Sequence, residues 1–346
     1  MARVLTVVTC PFSEPEWIDR VDLFDRTRLS PGSFLRMILA RSRDYDAVIL
    51  NGAVGLDGRY ADLVAAGLLG RRSPAPGVVI ADATWEVGSA RLSRLVGSRG
   101  MAFSSIAKAV VRWIDGPHVT YCVLSSAERA TFPKIWNVDQ GRVVFTPYGC
   151  TRDRLSEAAP TGDFAFAGGD SLRDYPMLIE AIRGTDISLR MATSESLGGL
   201  PVNASASSVS HDQFMDLLWT AGVVVVPLRA DTARSAGQQT YINAMAWGKL
   251  VIATDAPGVR DHIDHERTGI IVPPRDALRL REVLLWAFDA RNRAAVDLIR
   301  AAARETAQAK FAPNDYAQAL FSSAQQTITR IEKGNANGSR IAGHRS

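Results

Sequence analysis

Short runs of apolar, largely β-branched residues recur along the chain, separated by segments in which apolar and polar positions are spaced as on a helix. The first such runs occupy residues 4–8, 47–50, 77–81, 119–124 and 143–146. Continuous apolar runs of this kind predict strands buried on both faces. Between them, residues 34–40, 60–69 and 106–114 place apolar side chains on one helical stripe. A second series follows. Its strands are predicted at 164–167, 187–191, 207–209, 223–227, 250–254 and 269–272, and its helices at 176–182, 211–219, 240–247 and 277–288. Strands alternating with helices imply a parallel sheet covered on both sides. The expected fold class is therefore α/β, with two Rossmann-like domains in tandem.

Residues 156–162 (SEAAPTG) are small, polar and proline-containing, and read as a linker. Residues 294–310 and 315–333 are helical by period. That is more than the second series needs, so one of these helices is expected to cross back onto the first domain. The boundaries expected are an N-terminal domain at 1–155, a C-terminal domain at 163–310, a C-terminal helix at 311–333 and a disordered polar tail at 334–346.

Composition narrows the class. A length of 346 residues suits two domains, and 47% apolar with 22% charged residues is ordinary for a globular chain. The net charge of +4 comes from scattered residues and not from a block, so no nucleic-acid partner is indicated. Cys10, Cys122 and Cys150 show no CxxC or Cys/His ligand spacing and read as small buried side chains. No stretch reaches the roughly 18 apolar residues of a membrane span. The first apolar run is too short for a signal peptide, and a cytoplasmic location is expected.

The order of elements in the second half carries the chemistry. The strand at 223–227 runs into an irregular loop, and a helix starts at once. Arg234, Ser235, Ala236, Gly237, Gln238, Gln239 and Thr240 thus stand at a helix N-terminus beyond the carboxyl end of a parallel strand. Small residues let a ligand approach the backbone, and the N–H groups and helix dipole favour an anion such as pyrophosphate. Open parallel sheets bind ligands at this edge. The plainer alternative is a helix cap at a tight turn.

Residues 235–284 resemble the donor-binding segment of GT-B glycosyltransferases of the retaining, family-4 type (glycosyl transferases group 1). The matching residues are Ala244, Met245, Ala246, Gly248, Thr254, Asp255, Gly258, His262, Ile263, Thr268, Gly269, Val272, Pro273 and Pro274. The likeness covers 164–285 well and the first half in outline. It implies two Rossmann-like domains facing a cleft, with the donor on the second and the acceptor on the first. It also implies hexosyl transfer from a nucleoside diphosphate sugar of the UDP or GDP type, with retention and no cofactor. No Asp-x-Asp cluster stands at a strand end, so no metal is expected.

In that family two glutamates flank the helix start, and Ser235 and Asn243 occupy their positions here. The resemblance assigns Asn243 an uncharged contact to the ribose. With Ser235 short, Gln238 or Gln239 take over polar contacts to sugar hydroxyls. The strand at 164–167 and its following loop resemble the family's diphosphate-holding loop. Arg173 matches a lysine there, and Gly168, Gly169, Asp170 and Ser171 replace an arginine. This implies a diphosphate held by the Gly168–Gly169 backbone, the Ser171 hydroxyl and the Arg173 guanidinium. The alternative for Arg173 is a solvated residue paired with Asp170 or Asp174. Residues 191–196 and 209–214 stand where the family holds the base.

In the first half, the strand at 77–81 leads to Asp82, Trp85 and Glu86. Asp82 or Glu86 suits a general base for an acceptor hydroxyl, and Trp85 suits stacking on a sugar face. The competing reading is a helix cap with a first-turn acid. His118 reads as structural. Residues 93–114, with Arg94, Arg99, Lys108 and Arg112, read either as a basic amphipathic segment or as a core-facing helix. The first suits peripheral contact with the inner face of a membrane and a lipid-linked acceptor. Residues 11–17 fall where acceptor loops form. The rivals to transfer onto a glycan, lipid-linked or small-molecule hydroxyl are a nucleotide-sugar-binding protein without transferase activity, an epimerase on the same fold, and a membrane-interaction module.

Overall fold

A computed structural model of the chain describes residues 2–8, 12, 17–26, 29–52, 60–85 and 100–342, and gives the backbone path alone at 100–104, 106 and 335–342. The chain divides into two units, Met1–Pro147 with Asn314–Ser346, and Tyr148–Pro313.

The first unit contains β1 (Val4–Thr6), β2 (Val21–Leu23), α1 (Pro31–Arg41), β3 (Ala47–Asn51), α2 (Tyr60–Leu69), β4 (Gly77–Ala81), α3 (Gly100–Ile114), β5 (Val119–Val123), α4 (Ser126–Trp136) and β6 (Val143–Phe145). Its sheet runs β2-β1-β3-β4-β5-β6, and every neighbouring pair is parallel. All residues of β4 and β5 are buried, as continuous apolar runs require when both faces are covered. Two elements escape the apolar pattern. β2 is a three-residue edge strand (VDL) that exposes Leu23. α4 carries Pro133 inside it, but its start is legible: Ser125 accepts a hydrogen bond from the Glu128 N–H three residues on.

The second unit contains β7 (Phe164–Gly168), α5 (Tyr175–Ile182), β8 (Ser188–Ala192), β9 (Ala204–Ser207), α6 (His211–Thr220), β10 (Val223–Val226), α7 (Gln238–Ala246), β11 (Leu250–Thr254), β12 (Ile270–Val272), α8 (Ala277–Phe288) and α9 (Arg293–Lys310). Its parallel sheet runs β12-β11-β10-β7-β8-β9. The chain winds outward from β7 to β9, then returns to β10 beside β7 and winds outward to β12. The winding therefore reverses between β7 and β10. The edge strand β9 lies at Ala204–Ser207 and not at 207–209 as the apolar pattern suggests. Its sequence is ASAS, too small and polar to give a strand signal.

The stretch 156–162, expected as a linker, is held within the second unit. The Lys249 ammonium donates to the Pro160 carbonyl, and Arg304 and Gln308 donate to Leu155 just before the stretch. The boundary between units falls instead after Pro147. The final helix, α10 (Pro313–Ala342), takes in most of the residues expected as a polar tail, while 343–346 lie outside the described residues. α10 packs on the first unit through Tyr316, Leu320, Phe321 and Ala324, and the Thr327 hydroxyl meets that of Thr120 at 2.6 Å. Among the described residues no helix is long and apolar enough to cross a membrane.

Candidate functional site

In the second unit, the loops leaving β7 and β10 diverge where the sheet's winding reverses, yet they are bonded to each other. Asp174 N–H donates to Pro227 O at 2.7 Å, and Arg229 N–H to Leu172 O at 2.9 Å. Arg173 and Leu228 form an isolated bridge between them. This fixes the backbone around Arg173 against the strand that leads to α7.

Arg173 is 7% exposed. Its Nε donates to Gly168 O at 3.0 Å, its Nη1 to Ser171 O at 2.7 Å, and its Nη2 to Thr240 Oγ1 at 3.4 Å. A guanidinium has five N–H groups, so part of the fork stays available. The alternative expectation of an ion pair with Asp170 or Asp174 does not hold. Both Asp170 oxygens are taken up by Thr193 Oγ1 at 2.6 Å, Ser194 N–H at 2.9 Å and Ser194 Oγ at 2.5 Å. Asp174 caps α5 by accepting from Met177 N–H. Among the described residues Arg173 has no salt-bridge partner; burial, the largest cause, lowers its pKa, and Asp170, near but outside ion-pair distance, is among the groups that oppose this. A buried cation with so little direct compensation favours an anionic ligand.

The start of α7 stands beside this guanidinium. Gly237 lies 3.6 Å, by its missing Cβ position, from Arg173 Nη1, and has φ of +85°. No side chain caps the helix, so its first N–H groups, on Gln238 and Gln239, have no intrahelical partner. Gly237 must be glycine on two counts: the left-handed φ, and a Cβ that would lie 2.8 Å from Val226 Cγ1. Gly169, at φ +101°, is equally constrained, since its Cβ would meet Arg173 Nη2 at 2.8 Å.

The other residues expected here divide by burial. Ser235, Gln238, Thr240 and Asn243 are buried, Gln239 and Ser171 are exposed, and Gly168 closes β7. Arg234 Nη2 donates to Ser171 Oγ at 2.7 Å, which ties the two loops by their side chains. Gln238 is 5% exposed and its buried Nε2 has no hydrogen-bond partner among the described residues. Asn243 is engaged by its own unit, its Oδ1 accepting from Thr151 N–H at 2.7 Å. Sequence reading gave no sign of the Asp170–Thr193–Ser194 cluster, nor of the Tyr175 hydroxyl that donates to Gly169 O at 2.6 Å. Both brace the loop that aims Arg173.

In the first unit, Asp82 follows β4 directly and is half-buried with φ of +56°. Its Oδ1 accepts from the Tyr316 hydroxyl at 2.6 Å. Burial raises its pKa, opposed by that hydrogen bond. Trp85 is not a stacking platform. It is buried, donates from Nε1 to Gly52 O at 2.7 Å, and packs edge-on against Tyr121 and Trp136. His118 is packed into spaces left by Gly70 and Gly116, as a structural residue would be. Along α3, Val111 and Ile114 are buried while Lys108 and Arg112 are exposed. Glu86, Arg94, Arg99, Cys10 and most of residues 11–17 lie outside the described residues.

Residues 190–289, which run from β8 to the end of α8, match the family Glycosyl transferases group 1. No curated protein sequence matches the chain. Among solved structures, a glycosyltransferase from Rickettsia africae ESF-5 is 14% identical with a TM-score of 0.59, covering 94% of this chain and 90% of that one. HepE of Anabaena, in complex with UDP-glucose, is 13% identical with a TM-score of 0.62, covering 96% and 100%. Sucrose-phosphate synthase of Thermosynechococcus elongatus is 17% identical with a TM-score of 0.58, covering 91% and 81%. At such identities these likenesses speak for the fold, and it is the GT-B fold.

Proposed function

We propose that this GT-B chain, with its group 1 glycosyl transferase segment, moves a hexosyl unit from a nucleoside diphosphate sugar to a hydroxyl acceptor. The observation that carries the reading is the buried guanidinium of Arg173, without an ion-pair partner among the described residues, set against the uncapped start of α7. That arrangement suits a phosphate-bearing ligand such as a nucleoside diphosphate.

In the transfer, the anomeric C–O bond breaks and the nucleoside diphosphate leaves with the electron pair. Arg173 and the N–H groups of Gln238 and Gln239 stabilise the charge that develops on it. This is electrostatic catalysis by groups already in place. The acceptor oxygen forms the new bond to the anomeric carbon and gives up its proton. In the first unit Asp82 is our candidate for the residue that orients this hydroxyl and takes the proton. HepE in complex with UDP-glucose favours a UDP-sugar as the first donor to try.

The test is a panel of UDP-, GDP- and dTDP-sugars assayed for donor hydrolysis and for binding. Slow hydrolysis of one donor class supports an enzyme. Binding without turnover, with or without hydroxyl acceptors, supports a nucleotide-sugar-binding protein instead. Neither binding nor hydrolysis of any donor refutes the reading.

A further inference from the structure

Asp82 combines three features that seldom occur together by accident. Its backbone has a positive φ, +56°, which a non-glycine residue adopts at a cost. The surrounding chain enforces that conformation. Gly52 N–H donates to Ala81 O at 2.6 Å, Ala83 N–H to Cys122 O at 2.8 Å, Thr84 N–H to Asp82 O at 2.7 Å, and Trp85 Nε1 to Gly52 O at 2.7 Å. The turn is therefore locked on both sides of the carboxylate. Even Gly52 is fixed, because a Cβ there would lie 2.7 Å from Ala81 O.

The side chain is held separately. Its Oδ1 accepts from Tyr316 Oη at 2.6 Å, while Oδ2 has no hydrogen bond among the described residues. Tyr316 belongs to the first turn of α10, 234 positions away in sequence. That turn is seated by Leu320 and Phe321, and Phe321 stacks on Trp17 with ring centroids 5.5 Å apart. One oxygen is thus pinned by a phenol from a distant helix, and the other makes no hydrogen bond among the described residues, at the carboxyl end of a parallel strand where such sheets place their ligands.

We infer that Tyr316 is a positioning residue for Asp82. It fixes the carboxylate rotamer and stabilises its ionised form, so that Oδ2 meets the acceptor hydroxyl. This rests on the reading of Asp82 as the group that takes the acceptor's proton. It also gives α10 a part in the chemistry besides packing.

The electrostatics set the sign. Burial raises the Asp82 pKa, and the Tyr316 hydrogen bond lowers it. Among the described residues Cys122 on β5 also senses Asp82, and burial pushes its pKa up to about 11, so it is neutral and passive where Asp82 titrates. Removing the phenol hydroxyl leaves burial unopposed. The carboxylate then ionises at higher pH, and the acid limb of the kcat/KM profile moves up.

The experiment compares full-length wild type, Tyr316→Phe and Asp82→Asn over a pH series, with the donor identified by the panel and its acceptor. For Tyr316→Phe we expect kcat lower by about tenfold, KM for donor within about twofold, and an acid limb displaced upward. For Asp82→Asn we expect transfer to be abolished with donor binding retained. An unmoved acid limb in Tyr316→Phe, alongside an inactive Asp82→Asn, overturns the role of Tyr316 alone. A fully active Asp82→Asn overturns the underlying reading as well. If Tyr316→Phe is unstable, Tyr316→His keeps a hydrogen-bond donor at this position. Its acid limb should then lie nearer wild type than that of Tyr316→Leu, and identical limbs in those two variants also overturn the inference.

Discussion

Replacing Arg173 by methionine tests the anion site in two opposed directions. Methionine keeps most of the aliphatic stem and removes the charge. Three hydrogen bonds go, to Gly168 O, Ser171 O and Thr240 Oγ1, the last long at 3.4 Å. At about 1 kcal/mol net each, their loss costs the apo protein roughly 2–3 kcal/mol. Against this, a guanidinium buried to 7% exposure without an ion-pair partner among the described residues carries a desolvation penalty of several kcal/mol, which the variant escapes. The two nearly cancel, so the unliganded variant should unfold in urea within about 2 kcal/mol of wild type. Binding shows no such cancellation. One or two charge-assisted hydrogen bonds to a diphosphate are worth about 1.5–3 kcal/mol each. UDP affinity should therefore fall by about 10–10⁴-fold, and the UDP-induced rise in Tm should shrink or vanish. Arg173→Lys retains the charge without the fork and should lie between. Calorimetric titration with UDP beside urea melts of the apo proteins reads both quantities. A folded Arg173→Met variant that binds UDP within twofold of wild type refutes the phosphate assignment.

Three further outcomes follow from the same geometry. Gly237→Ala forces a left-handed φ on alanine and sets its Cβ 2.8 Å from Val226 Cγ1. It should cost about 1–3 kcal/mol of stability and weaken UDP binding, read by urea melts and titration. Gln238→Leu removes a buried Nε2 that has no partner among the described residues. Apo stability should hold or rise by about 1 kcal/mol, and a loss above about 2 kcal/mol would show that the amide is satisfied in the protein. Lys249, whose ammonium is buried beneath Trp219, has its pKa lowered to about 8 by burial and then by Arg300. The folded state gives up this proton above about pH 8, while the unfolded chain keeps it to the ordinary lysine value of 10.5. The unfolded state then binds more protons, so this residue's contribution to stability rises with pH across that window and is flat below it. Wild type minus Lys249→Met in unfolding free energy should climb by up to about 3 kcal/mol between pH 8 and 10, and a flat difference contradicts the burial argument.

The architecture was legible because both sheets are buried on both faces, which forces continuous apolar runs. α2 at Tyr60–Leu69, β4 at Gly77–Ala81, β11 at Leu250–Thr254 and α8 at Ala277–Phe288 follow the pattern residue for residue. The edge elements were not. β2 and β9 each have an open side and need no apolar run, and β9 is built of alanine and serine. Within the candidate site, Gly237 and the helix start could be placed from the strand–loop–helix order alone. The setting of Arg173 could not. It depends on Asp170 being occupied by Thr193 and Ser194, from the end of the next strand, and such long-range exchange of partners leaves no local trace. Trp85 misled for a related reason. An aromatic after a strand end looks available for stacking, and only the packing of Tyr121, Phe132 and Trp136 around it shows that it belongs to the core.

A crystal structure of the full chain soaked with UDP tests the central claim most directly. Diphosphate oxygens are expected within hydrogen-bond distance of the Arg173 guanidinium and of the Gln238 and Gln239 backbone N–H groups, between the ends of β7 and β10. UDP seated elsewhere on the molecule, with Arg173 still bonded only to Gly168, Ser171 and Thr240, contradicts it.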